Sequence, residues 1–121
     1  MTFDNVDDYT DDLDLGAALI LLSVSLPIQE IETIRRLSLR QAQRSPFLRE
    51  VVVDLGLSYA TLEDIGAENI DQAIDVIIFH FWRGLREVPP GVPLFDWSAG
   101  QKIGLAAEIG GRTVILFQKT E

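Results

Sequence analysis

Residues 87–98, Glu-Val-Pro-Pro-Gly-Val-Pro-Leu-Phe-Asp-Trp-Ser, divide this chain in two. Pro89, Pro90 and Pro93 fall within five consecutive positions. Proline fixes φ and lacks an N–H, so the segment reads as a loop. Before it the apolar residues follow a helical period. Ile70, Ala73, Ile74, Ile77, Ile78, Phe81 and Leu85 form one stripe, and Val76 and Phe79 fall on the opposite side. A helix apolar on most faces is a central one, so residues 69–86 are expected to be the pillar of the core. After the loop the period changes. Ile103, Leu105, Ala107 and Ile109 alternate, Gly110-Gly111 follows, and Arg-Thr-Val-Ile-Leu-Phe-Gln completes a second run. Two such runs joined by Gly-Gly predict a β-hairpin, because both turn residues can take positive φ. A helix over 99–109 is the alternative, since Ala106, Ala107 and Glu108 suit one. An isolated hairpin is marginal, and residues around Val92–Phe95 could supply a third strand. The expected class is therefore α+β: four or five helices in the N-terminal two-thirds, then a C-terminal hairpin packed on the 69–86 helix.

The upstream helices are delimited by local signals. Residues 1–10 read as a flexible acidic arm and 11–121 as a single domain. A first helix is expected from Asp11 or Asp12 to about Val24, with aspartate suited to the positive end of the helix dipole. Ser25 is expected to cap a second helix over about 26–44, with Pro27 in its first turn. Ser45-Pro46 restarts the chain as a cap followed by proline at the first helical position. A third helix then covers about 47–55 and ends at Gly56. A short helix is expected at 60–65.

The 121 residues are 47% apolar and 24% charged, a globular composition. There are no cysteines, which removes disulfides, thiolate metal sites and cysteine nucleophiles and fits a cytoplasmic setting. Residues 15–28 carry no charge, but fourteen residues fall short of the ~20 that cross a bilayer. They read as a buried core helix. A secretory signal starts basic, whereas the first fourteen residues hold six aspartates and no Lys or Arg.

The net charge of −9 is unevenly spread. Asp4, Asp7, Asp8, Asp11, Asp12 and Asp14 carry −6 of it, and the other 107 residues carry only −3. Residues 54–75 form a second acidic stretch, with Asp54, Glu63, Asp64, Glu68, Asp71 and Asp75 and no base. Residues 35–49 reverse the sign, with five arginines and no acid. Arg36, Arg40 and Arg44 would line one helical face, and like charges at i, i+4 cost ~0.2–0.5 kcal/mol per pair. Glu32 could offset part of this by pairing with Arg36. The remaining charge calls for carboxylates of the acidic arm, or for an anionic or acidic partner.

The string Leu55-Gly-Leu-Ser-Tyr-Ala-Thr-Leu-Glu-Asp-Ile65 resembles the turn and second helix of a helix-turn-helix. That resemblance implies DNA binding. The charge opposes it, because a reading helix lies beside phosphates and this one holds only acids. Phe95 and Trp97, beside Asp96 on the proline loop, either lie under it as a lid or stand out as interface anchors. His80, the only histidine, sits between Phe79 and Phe81 and reads as a hydrogen-bonded core residue. Asp12-Leu-Asp14-Leu-Gly16 does not make a calcium loop. Gly16 comes one position early, and Ser23 stands where the bidentate Glu belongs. No phosphate-binding loop, dinucleotide fingerprint or nucleophile elbow occurs.

These features lead to an expectation of a small acidic protein-interaction module (an inhibitor, immunity-type protein, chaperone or adaptor) with a basic protein partner. Its contact residues would be Asp7, Asp8, Asp11, Asp12, Glu63, Asp64, Glu68, Phe95 and Trp97. Arg36, Arg40 and Arg44 would offer a separate face to an anion or acidic partner. No catalytic residue, metal, cofactor, nucleic acid or membrane is expected. A DNA-binding regulator is one alternative. An enzyme using carboxylates such as Asp75, Glu87, Asp96 or Glu108 is another. Homodimerisation through the hairpin edge is a further expectation.

Overall fold

A computed structural model of the chain describes residues 14–120. The expected arm over 1–10 lies outside the described residues. Within them the order is α1 (Leu15–Ser25), α2 (Ile28–Arg36), α3 (Leu39–Gln43), α4 (Pro46–Asp54), α5 (Leu57–Asp64), α6 (Ile70–Leu85), β1 (Leu94–Ala99), β2 (Lys102–Ile109) and β3 (Arg112–Thr120). The fold is α+β, with an antiparallel sheet of order β1-β2-β3 after the helices.

Where four or five helices were expected, the described residues hold six. The extra one arises at Ser38. The 26–44 helix breaks there because Ser38 opens a capping box. Its hydroxyl accepts from the Gln41 amide at 3.1 Å, and the Gln41 side chain accepts from the Ser38 amide at 3.0 Å. Two further caps differ from expectation. Ser25 is the last residue of α1, and Pro27 precedes α2 without a side-chain cap. Helix α1 starts at Leu15 behind Asp14, whose carboxylate accepts from the Ala17 amide at 2.8 Å. Ser45 caps α4 as predicted, Pro46 takes its first turn, and Gly56 ends the corner with φ +73°. Helix α5 begins at Leu57, earlier than the expected 60.

Helix α6 joins the other helices, packing against α1 to α5. Helix α1 lies between this group and β2 and β3. Its apolar circumference is explained by that position: Ala18 and Leu22 are fully buried, and Leu15, Leu19 and Leu21 pack on the same core. The hairpin reaches α6 through Phe117. Its ring stacks on Phe81 with centroids 5.7 Å apart and lies over Gly84, where a Cβ would stand 2.8 Å from the ring.

The loop assigned to 87–98 stops at Pro93, and β1 takes over at Leu94. The prolines exclude regular structure only as far as they extend. Leu94 pairs with Ala107 and Ala99 with Lys102, which supplies the third strand the hairpin needs. Within 99–109 there is no helix: Ala99 ends β1, residues 100–101 turn the chain, and Lys102–Ile109 is β2. Gly110 and Gly111 both have positive φ, +60° and +77°, as their two-residue turn requires.

Candidate functional site

Leu15 and Asp64 lie 49 residues apart in the chain, yet the Leu15 amide donates to Asp64 Oδ2 at 3.0 Å. The first turn of a helix leaves amides without intrahelical partners and carries partial positive charge. Asp14 and Asp64 both answer that need at the start of α1. Asp14, the last of the N-terminal aspartates, thereby joins the second acidic stretch. Glu63, Asp64 and Glu68 are all exposed there. Asp7, Asp8, Asp11 and Asp12 lie outside the described residues.

Apolar side chains accompany these acids. Phe47, Val53, Leu55 and Tyr59 are exposed large hydrophobic residues, and all four belong to α4, α5 or their corner. On α4 the exposed Phe47, Glu50, Val53 and Asp54 recur at three- and four-residue spacing, so they share one face. On α5 Tyr59 is 67% exposed and precedes Glu63 by one turn. The sequence reading did not single out this apolar component. Its signal was available: α4 has more apolar positions than one buried face of a nine-residue helix can cover.

Phe95 and Trp97 are half-buried and lie elsewhere. They pair in register with Ala106 and Gly104, on the sheet face opposite Leu94, Leu105 and Ala107. The lid alternative is thus corrected, because strand alternation turns them away from the helices. Strand β1 packs on α2, whereas α5 packs on α4, α6 and α1. The structure does not bring these aromatics together with Glu63 and Asp64 of α5. The hairpin edge expected to pair with a second copy is β3, with Val114 42% and Ile115 36% exposed.

The arginine face is also corrected. Arg36 ends α2, Arg40 lies within α3, and Arg44 caps α3, so the break at Ser38 separates them. Glu32 pairs with Arg35 at 3.0 Å rather than with Arg36. Arg40 and Arg44 line an open cleft of about 630 Å³ with Arg49, Asp71 and Asp75. There Arg49 is held by Asp75 at 2.6 Å and Asp71 at 3.4 Å. Arg36 lines a different cleft, between α2 and the proline loop, with Arg35 and Arg86.

Arg35 is the polar residue that the sequence reading passed over. It is 8% exposed, and its guanidinium clasps the proline loop. Nη1 donates to Val92 O at 2.7 Å, and Nη2 donates to Pro89 O at 2.7 Å and Val88 O at 3.3 Å. Glu32 Oε2 accepts from the Leu94 amide at 3.0 Å, completing the clasp. Position supplied a signal, because Arg35 falls on the Ile28–Ile31 stripe of α2.

His80 is half-buried, with its ring edge-on to Phe79 at 5.0 Å and no hydrogen bond to a described residue. The hydrogen bond expected of a core histidine is thus not found among the described residues. The four carboxylates considered for catalysis do not converge. Asp75 faces Arg49, Glu108 accepts from the Thr113 hydroxyl, Asp96 is exposed on β1, and Glu87 is exposed beyond α6. No helix among the described residues is long and apolar enough to cross a membrane. No protein-family model, curated protein or solved structure matches the chain.

Proposed function

We propose that the chain is a protein-interaction module whose α4–α5 surface binds a basic protein partner. The observation that carries this reading is the Leu15–Asp64 hydrogen bond, which sets Asp14 beside the acidic end of α5. Asp11 and Asp12 precede Asp14 by three and two residues in the sequence. Asp14 and the acids of α5, from two distant segments, thus serve one surface. Exposed Tyr59, Leu55, Val53 and Phe47 add the apolar contact that gives a complex its lifetime, while charge steers the encounter. An inhibitor, immunity-type protein, chaperone or adaptor acting in the cytoplasm would use such a surface.

The helix-turn-helix resemblance is served less well. Helices α4 and α5 do form a corner at Gly56, but Glu63 and Asp64 lie exposed on the helix that would face DNA. Phosphates would be repelled by it.

The test is affinity capture from source lysate at low and high salt, repeated with a Tyr59→Ser/Glu63→Lys/Glu68→Lys variant. The expected result is a basic protein retained at low salt, weakened by high salt and lost from the variant. Capture of no protein, or of one indifferent to those substitutions, overturns the reading.

A further inference from the structure

We propose that the cleft between α2 and the proline loop is a binding site for a small organic anion, a carboxylate or phosphate head on a short apolar body. The half-open cleft has a volume of about 650 Å³, within the ~300–1,000 Å³ typical of ligand sites. Its charge is unbalanced. Arg35 is offset by Glu32, and both terminal nitrogens of Arg35 are already engaged by Glu32 and the loop carbonyls. Glu32 is itself occupied at both oxygens, by Arg35 and by the Leu94 amide. Arg36 is exposed and has no ion pair with a described residue. Arg86 likewise has none. It donates Nη1 to Arg35 O at 3.3 Å and lies 5.1 Å above the Trp82 ring, which leaves further donors free. Two guanidinium groups without an ion pair among the described residues therefore line one recess.

The rest of the wall is apolar, with Val88, Val92, Pro90 and Pro93. It is also preorganised. Proline fixes the loop dihedrals, and the Arg35 clasp ties three of its carbonyls to α2. A ligand here meets guanidinium forks suited to planar oxyanions, beside a surface that favours hydrocarbon. The −9 net charge selects for size. A polyanion such as RNA would be repelled by the whole molecule, whereas a small anion in the recess is governed by charges within a Debye length, ~8–10 Å.

Trp82 beneath Arg86 provides a readout. In a Trp97→Phe protein, where Trp82 is the sole tryptophan, emission is followed against hexanoate, hexyl phosphate, inorganic phosphate and hexanol. Calorimetric titration of the unsubstituted protein runs in parallel and stands alone should that variant not fold. Saturable binding of hexanoate or hexyl phosphate near ~1 mM is expected, with hexanol and inorganic phosphate each at least about fivefold weaker. The tighter of the two amphiphiles identifies the head group. Arg36→Gln, at an exposed position, should weaken that binding about fivefold without moving the melting temperature. No saturable binding of either amphiphile, hexanol binding equal to theirs, or unchanged affinity in Arg36→Gln overturns the proposal.

Discussion

Arg35 donates to the Val88, Pro89 and Val92 carbonyls and to one carboxylate from a position 8% exposed, so its removal strands several acceptors at once. Unpaired buried partners cost more than an intact pair contributes. Arg35→Ala is expected to lower the unfolding free energy by about 2–4 kcal/mol, read from urea denaturation. Arg35→Lys should recover only part of this, because an ammonium cannot reproduce the planar fork. Equal stability of all three proteins would show that the clasp contributes nothing. Ser58 is the opposite case. It is fully buried, and its hydroxyl has no hydrogen-bond partner among the described residues. Ser58→Ala should therefore be neutral or stabilising by up to about 1–2 kcal/mol, and a marked loss in the same titration would disprove that assignment. Neither role was visible in residue type. Arg35 was one of five arginines in a short run, and only its place on the apolar stripe of α2 separated it from the others. Ser58 stood in a string read for its likeness to a turn, which says nothing about burial.

Elements with strong periodicity were legible, and those decided by a single cap or a tertiary neighbour were not. The 69–86 stripe and the Gly-Gly hairpin needed only local information. The break at Ser38 was written as Ser-x-x-Gln, but a continuous apolar pattern across it concealed the restart. Strand β1 was hidden by its prolines and defined by its partner β2, which no local pattern encodes. Gly104 shows how tightly that partner is fitted. It is buried next to the register shift at Leu105/Ala106, and a Cβ there would stand 2.0 Å from the Phe117 carbonyl oxygen. A backbone atom in a paired strand cannot retreat as a side-chain tip can. Gly104→Ala is expected to cost about 2–3 kcal/mol or more in thermal unfolding. Faster amide exchange concentrated in β2 and β3 should accompany it. Wild-type stability would mean that the strands can separate locally without loss of the fold.

Charge organises the molecule as a whole, and this was the part of the candidate site most legible in sequence. The acids of 54–75 and the N-terminal aspartates were apparent as two runs. The union of Asp14 with the acids of α5 was not, because it depends on the Leu15 amide reaching Asp64 from 49 residues away. The exposed Tyr59 and Val53 were equally out of reach, since apolar identity alone favours burial. The union has an energetic consequence. Asp14, Glu63, Asp64 and Glu68 repel one another, and no base among residues 54–75 offsets them. Screening shortens from ~30 Å at 0.01 M salt to ~8 Å at 0.15 M, so salt should relieve repulsion on this surface. The pairs Arg35–Glu32 and Arg49–Asp75 are closer and less exposed, and lose less to screening. Sodium chloride raised over that interval is therefore expected to increase the melting temperature by about 3–6 °C, corresponding to roughly 1 kcal/mol. Glu63→Lys/Glu68→Lys should flatten that response, because it converts part of the repulsion to attraction. A fall in melting temperature with salt would mean that attractive pairs dominate, and the acidic surface would then hold no strain for a partner to relieve. With the expected rise, a basic partner and added salt act on the same repulsion, so the stabilisation that partner brings should be largest at low ionic strength.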